Sequence, residues 1–191
     1  MQAHAGMAMT RRAFMALCVA LCSGLGIAAT AAISQHIRNE IPHAQLSGSG
    51  SFTWFGLKIY EASLWTGEGG YQPQALSNAK FALDLQYARD LNGSRIADAS
   101  LQQIVKLAIG TPAQQQAWHA RMKEIFPDVQ DGTHITGIYL PGQGARFYLN
   151  GALLGEVLDA DFAHAFFAIW LDPRTSAPRL RDALLTGAGK R

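Results

Sequence analysis

The sequence predicts an α+β fold, in which a largely antiparallel sheet packs against helices. Residues 80–87 alternate between apolar and polar side chains, the pattern of a half-buried strand. Two segments with apolar residues at helical spacing follow between residues 94 and 126. Asn150-Gly151 then marks a tight hairpin. Because strands and helices come in blocks without regular alternation, we expect hairpins and not parallel strands.

The strand predictions rest on alternation along the chain. Residues 57–66 place Tyr60 on one face of a strand and Glu61 and Trp65 on the other. A three-strand set is predicted at residues 134–140, 145–149 and 153–158.

The helix predictions rest on apolar spacing and on end signals. A helix over residues 94–109 is expected to stop at Gly110. Thr111-Pro-Ala-Gln114 supplies an N-cap, a proline at the first helical position and a capping box for a helix that Pro127 ends. Two further helices are predicted from Asp159 or Asp161 to Asp172 and over residues 178–185.

The N-terminal segment is typical of a twin-arginine export signal. Arg11 and Arg12 precede about twenty uncharged residues that end near a small-residue cleavage site, Ala29-Thr-Ala31. We therefore predict a signal peptide over residues 1–31, an N-terminal arm over 32–45, one domain over 46–187 and a periplasmic location. The alternative is an uncleaved membrane anchor, because the segment is long enough to span a bilayer.

The positions of the cysteines and the net charge exclude several classes of function. Cys18 and Cys22 both lie inside the predicted signal, so the exported chain would have no disulfide, thiolate metal site or cysteine nucleophile. Without Arg11 and Arg12, 14 of the 16 basic residues remain, which equals the 14 acidic residues. The net charge of the exported chain is then zero, so charge gives no indication of nucleic acid binding.

Common catalytic motifs are missing from the sequence. It contains no Gly-x-Ser-x-Gly elbow, phosphate loop or His-Glu-x-x-His pair, and its histidines share no metal-ligand spacing. We therefore predict no cofactor and no metal. Gly48-Ser-Gly50 is interpreted as a site of close backbone packing at the start of a strand.

Two groups of side chains are candidates for a ligand site. Glu61 lies on a strand face with apolar neighbours, and Tyr87 or Arg89 could partner it across the sheet. The alternative is a surface ion pair beside a packed tyrosine. Phe162, Phe166 and Trp170 form an aromatic helical stripe, which is more often core than a ligand site, although the same side chains would line a cavity between sheet and helices.

Several segments together resemble the bacterial chalcone-isomerase-like family. They are Gly48-Ser-Gly50, Lys58-Ile-Tyr-Glu-Ala-Ser-Leu-Trp65, Phe147-Tyr-Leu-Asn-Gly151 and Phe166-Phe-Ala-Ile-Trp-Leu-Asp172. The resemblance implies a chalcone-isomerase-like open-faced sandwich, with a largely antiparallel sheet covered by helices on one face and a cleft between the layers.

The resemblance also bears on chemistry. Chalcone isomerases close a flavonoid ring, and an arginine shortly after the first glycine pair stabilises the developing negative charge. The matching position here is Phe52, so a catalytic site would have to be rearranged around Lys58 and Tyr60. Other proteins of this fold bind fatty acids without catalysis, and that analogy is the one we prefer.

The sequence thus predicts an exported, cofactor-free protein that binds a small hydrophobic ligand, a fatty acid or a phenolic compound, in a cleft. Predicted walls are Tyr60, Trp65, Phe162, Phe166 and Trp170, and predicted polar contacts are Lys58, Glu61, Tyr87 and Arg89. One alternative is an isomerase or intramolecular lyase that acts on a chalcone-like enone. A second is a periplasmic protein-interaction module. For the protein as a whole, we expect membrane contact only through an uncleaved signal.

Overall fold

The computed structural model describes residues 33–71 and 78–187. The predicted signal peptide lies outside these residues. Ala32–Arg191 forms a compact unit with its own cores, so we expect it to fold without the segment before it. Among the described residues, no helix combines the length and apolar character needed to cross a bilayer.

Six antiparallel strands form one sheet in which spatial order follows chain order. The strands are β1 (Gln45–Trp54), β2 (Leu57–Thr66), β3 (Phe81–Tyr87), β4 (His134–Leu140), β5 (Gly144–Leu149) and β6 (Ala152–Val157). Each strand therefore pairs with its neighbours along the chain, as expected where hairpins and short connections dominate. The predicted α+β class with an antiparallel sheet is confirmed.

The part of the chain that the structure describes contains five helices, which pack on this sheet. They are α1 (Gln35–Glu40), α2 (Gly93–Lys106), α3 (Pro112–Ile125), α4 (Ala160–Leu171) and α5 (Pro178–Leu184). Helices α2 to α5 share the main core with one face of the sheet. The short helix α1 packs against the other face, where the sequence predicted only an arm.

The main core is built around the aromatic side chains of α4. Phe162 and Phe167 are buried completely, and Phe166 packs edge-on against Phe147 of β5 with ring centroids 5.2 Å apart. Burying a phenylalanine side chain contributes up to about 3 kcal/mol. The Asp159 side chain caps α4 by accepting a hydrogen bond from the Phe162 backbone N–H at 3.0 Å.

Gly48 lets β1 and α5 come into direct backbone contact. A Cβ atom on Gly48 would lie 2.1 Å from the carbonyl oxygen of Ala183 and 2.6 Å from that of Leu184. The Gly187 backbone N–H then donates to the carbonyl of Ser47 at 2.7 Å, just beyond the end of α5. The predicted close packing at this glycine is confirmed.

Helix α1 covers apolar side chains on the second face of the sheet. Ile37 and Ile41 pack with Trp65 of β2 and Ile138 of β4 in a small separate cluster. Glu40 at the end of α1 accepts hydrogen bonds from the Tyr148 hydroxyl at 2.7 Å and the Lys80 ammonium at 3.1 Å.

Glu40 also pairs with Arg146, which joins α1 to β5. Burial opposes ionisation of Glu40, but hydrogen bonds from Tyr148, Arg146 and Lys80 outweigh it and lower the pKa of this carboxyl. Part of the predicted arm therefore forms helix α1, because both the apolar and the charged side chains of this segment have partners on the sheet.

A second set of polar contacts centres on Asp84 of β3. Asp84 accepts from the Thr136 hydroxyl at 2.7 Å and contacts Nδ1 of His134 at 2.8 Å. Since the Thr136 proton goes to Asp84, its oxygen can accept from Nε2 of His36 at 2.8 Å. The hydrogen bond to Asp84 raises the pKa of His134 despite partial burial, whereas burial lowers the pKa of His36.

We predict that Gly48→Ala lowers the free energy of unfolding by about 2 kcal/mol or more, because its methyl group forces β1 and α5 apart. Urea denaturation measures the change. Ser49→Ala, at an exposed position in the same strand, serves as the control and should change little. Equal stabilities for the two variants would contradict the close approach.

We predict a pH-dependent stability difference between the wild type and His134→Asn. The raised pKa of His134 means that its ion pair with Asp84 stabilises fully below the ordinary value of 6.5. That contribution is lost as the pH rises through the raised pKa. Denaturation at several pH values should therefore show a wild-type advantage that shrinks with increasing pH.

The matched control for this prediction is His43→Asn. His43 is an exposed histidine with a positive φ of 57°, a backbone conformation that asparagine tolerates. We expect this variant to be about as stable as the wild type, since substitution of an exposed surface residue usually changes stability little. An advantage of the wild type over His134→Asn that grew with pH would contradict the assignment.

Candidate functional site

A cavity of about 420 Å³ lies between the sheet and the helical layer, a size usual for small-molecule sites. Its floor comes from the adjoining ends of β1, β2 and β3. Its other walls come from α2, the C-terminal end of α4 and the segment that leads into α5. The cavity begins at Trp170, one turn beyond the phenylalanine side chains of α4 that fill the core.

The walls of the cavity are mainly apolar. Phe52 and Tyr60 stack on the sheet side with ring centroids 5.2 Å apart and planes inclined by 20°. Leu85 of β3 continues this side, and Ile96 of α2 and Ile169 of α4 face it from the helices. Such a lining favours an apolar ligand body.

Three aromatic side chains place polar atoms within this lining. The Trp170 indole N–H donates to the Tyr60 hydroxyl at 3.0 Å, which leaves the Tyr60 proton available to a ligand. Tyr87 lies edge-on to Tyr60 with ring centroids 6.0 Å apart. Burial raises the pKa of Tyr60 to about 12 and raises that of Tyr87 as well. Both hydroxyls are therefore neutral donors near neutral pH and not phenolate bases.

Arg95 of α2 brings a positive charge to the cavity. It lines the cavity from an exposed position, and among the described residues it has no salt bridge. Sequence reasoning missed this arginine. Helical spacing could have pointed to it, because Arg95, Ala99 and Gln102 fall on one face of the predicted helix. In the structure all three line the cavity.

Three predicted site residues come together around the cavity, namely Tyr60, Tyr87 and Trp170. Phe162 and Phe166 lie behind it in the core. Phe166 packs against Trp170 at a centroid distance of 5.3 Å and so supports the wall from behind. Phe166 thus holds Trp170 in the cavity wall and does not itself line the cavity.

The other predicted site residues lie away from the cavity lining. Trp65 projects to the opposite face and packs under α1, because its position in β2 alternates with that of Tyr60. Lys58 and Glu61 form an ion pair at 2.8 Å with both side chains more than 40% exposed. Arg89 follows β3 and is half-buried outside the lining. Lys58 and Tyr60 are therefore not brought together at the cavity.

The described residues contain no cluster of three or more histidine, cysteine, aspartate or glutamate side chains that could hold a metal ion. Phe52, at the position where the family resemblance implies an arginine, contributes an apolar ring to the cavity wall. The cation at the cavity comes from α2 instead.

Comparisons with known proteins agree with this architecture. The crystal structure of the fatty-acid binding protein AtFAP1 of Arabidopsis thaliana is similar to this chain with a TM-score of 0.57 and 13% identity. The match covers 75% of this chain and 87% of that one, and at this identity it shows the fold alone. An uncharacterized protein of Haemophilus influenzae is 29% identical over 143 residues, which are 75% of this chain and 68% of that protein.

A family model for chalcone isomerase-like proteins matches residues 28–186, and thus spans the whole sheet, all five helices and the cavity between them. This extent agrees with the sequence resemblance. The protein belongs to the chalcone isomerase-like family.

Proposed function

We propose that the protein is exported to the periplasm and there binds a fatty acid or a similar amphipathic carboxylic acid in the cavity, without changing it chemically. The observation that carries this proposal is the combination of a mainly apolar lining with Arg95, a cation that has no salt bridge among the described residues. The likeness to a fatty-acid binding protein supports the same class of ligand.

The lining suits an ionised carboxylate with an alkyl chain. A carboxylate buried without a cation would cost several kcal/mol, so the charged end is expected beside Arg95 at the exposed side of the cavity. The alkyl chain then lies against Phe52, Ile96 and Ile169. Tyr60 can donate a further hydrogen bond to a ligand oxygen without losing its bond from Trp170.

Binding is better supported than chalcone cyclisation. An isomerase needs a group that activates a phenol, and a cation such as Arg95, which could stabilise the resulting charge, does not replace that group. The raised pKa of Tyr60 makes its phenolate a rare species near neutral pH. Lys58 is engaged with Glu61 outside the cavity lining.

We predict that native mass spectrometry of the protein released from the periplasm shows a chain starting near Ala32 with a fatty-acid adduct. The adduct should leave on denaturation. Ala99→Trp is expected to abolish it, because Ala99 lines the cavity and the indole would occupy the space of the ligand.

The matched control is Ala120→Trp, which alters an exposed alanine on α3 away from the lining. This variant should keep the adduct. An adduct that survives Ala99→Trp, or an apo protein that binds no added fatty acid, would contradict the binding proposal. A mass that still includes residues 1–31 would contradict cleavage of the signal.

We predict that Arg95→Met raises the Kd for a fatty acid about tenfold or more, the usual effect of losing a hydrogen bond to a charged group. The Kd for the fatty alcohol of equal length should change little, since the alcohol carries no charge. Displacement of a fluorescent fatty acid measures both constants. Arg89→Met, which removes an arginine outside the lining, is the control. Equal losses for acid and alcohol would show that Arg95 acts through packing and not through its charge.

A further inference from the structure

The tip of the hairpin between β1 and β2 exposes three large apolar side chains. Trp54 is 60% exposed, Phe55 is 89% exposed and Leu57 is 55% exposed, around the turn glycine Gly56. Among the described residues, seven large hydrophobic side chains are exposed, and these three lie within four consecutive positions. We call the segment Trp54–Leu57 the aromatic tip.

The backbone conformation of the aromatic tip does not explain why residue 55 is a phenylalanine. Phe55 and Gly56 have φ angles of 48° and 78°, the left-handed conformations of a tight hairpin turn. The turn between β5 and β6 has nearly the same angles, 48° and 88°, and there the residues are Asn150 and Gly151. Asparagine adopts this conformation readily, whereas a bulky side chain does so at a cost. Phe55 therefore costs folding free energy where it is, which indicates a role outside folding.

The aromatic tip is continuous with the cavity. Trp54 is exposed at the tip and also lines the cavity beside Phe52 and Tyr60. A path of apolar side chains thus leads from the most exposed residue of the hairpin into the proposed binding site. A projecting hairpin with tryptophan and phenylalanine suits insertion into the boundary layer of a bilayer, where amphipathic aromatic rings are stable.

The start of the described chain lies toward the same end of the sheet. Strands β1, β3 and β5 all run toward the aromatic tip, so the Asn150-Gly151 turn shares its end of the sheet. Nδ1 of His36 lies 3.4 Å from where a Cβ atom on Gly151 would be, whereas Ile41 contacts the Gly67 end of β2.

Helix α1 therefore runs away from the tip end of the sheet, and Ile33 precedes it on the tip side. The choice of a bilayer over a protein partner rests on the continuity of the aromatic tip with the cavity. A fatty acid, the ligand proposed for that cavity, partitions into bilayers, so an apolar path from the tip into the cavity fits a bilayer better than it fits a protein partner.

We propose that the aromatic tip docks on the surface of a lipid bilayer, so that the mouth of the cavity faces the membrane. An amphipathic ligand would then pass between bilayer and cavity along Trp54 without crossing open water. Docking adds a membrane partner to the proposed function. It can be measured with no fatty acid present, so failure of docking and failure of ligand binding are separate results.

The test is cosedimentation of residues 32–191 with vesicles of phosphatidylcholine and phosphatidylglycerol. Phe55→Asn is the main variant, because asparagine suits the left-handed turn and so should preserve or improve folding while removing the exposed ring. Leu57→Ser is the second variant. Its matched control is Leu158→Ser, which alters a 69% exposed leucine that follows β6 at the opposite end of the sheet.

We expect the wild type and Leu158→Ser to bind vesicles equally. Phe55→Asn should weaken binding about tenfold or more, the effect of withholding one large apolar side chain from a lipid phase. Fatty-acid binding in detergent-free buffer should be unchanged for Phe55→Asn, because Phe55 is not in the lining. Absence of vesicle binding by the wild type, or equal binding by wild type and tip variants, would overturn the proposal. A wild-type dimer that only the tip variants convert to monomers, without vesicle binding, would also overturn it and assign the tip to a second copy of the chain.

Discussion

The packing of the α4 aromatic face against the sheet is the constraint on which the rest of the structure depends. Phe162, Phe166 and Phe167 fill the centre of the space between sheet and helices. At the next turn, Trp170 donates to the Tyr60 hydroxyl at 3.0 Å and ends the filled region. The cavity therefore lies next to a closely packed core, and its rear wall is held by that core. Rigid support of this kind preorganises the walls of a cavity for a ligand.

The two faces of the sheet have different surroundings because side chains alternate along each strand. Tyr60 of β2 points to the helical layer and the cavity, while Trp65 points to α1. On the α1 face, Glu40 is joined to Tyr148, Lys80 and Arg146. These contacts fix the start of the described chain on the sheet. The binding face and the face that holds the N-terminal region are thereby separate, so each can be altered with limited effect on the other.

Features with local sequence signals were predicted well. Helix α3, whose N-cap is Thr111, was predicted from its capping box, and the structure contains that capping box. The strand predicted over residues 57–66 agrees with β2. Gly48 was interpreted correctly because a glycine at a strand start often permits close backbone packing. The antiparallel order followed from the arrangement of the predicted elements and from the Asn150-Gly151 turn.

Features that depend on distant contacts were not predictable in the same way. Helix α1 is short, and its partners Trp65, Ile138 and Arg146 come from three different strands. Arg95 joins the cavity only because α2 faces the ends of β1 to β3 across it. Trp65 was grouped with the cavity residues although alternation already separated it from Tyr60. The alternation assigned side chains to the correct faces of the strand. Which of the two faces lines the cavity depends on where the helices pack, and the sequence pattern does not give that.

The most direct test of the central claim is a crystal structure of residues 32–191 with a bound fatty acid. We predict an alkyl chain between Phe52, Tyr60 and Ile169 and a carboxylate beside the Arg95 guanidinium, with the Trp170 to Tyr60 hydrogen bond retained. A fatty acid bound elsewhere on the protein, with this cavity empty or filled by water, would contradict the account.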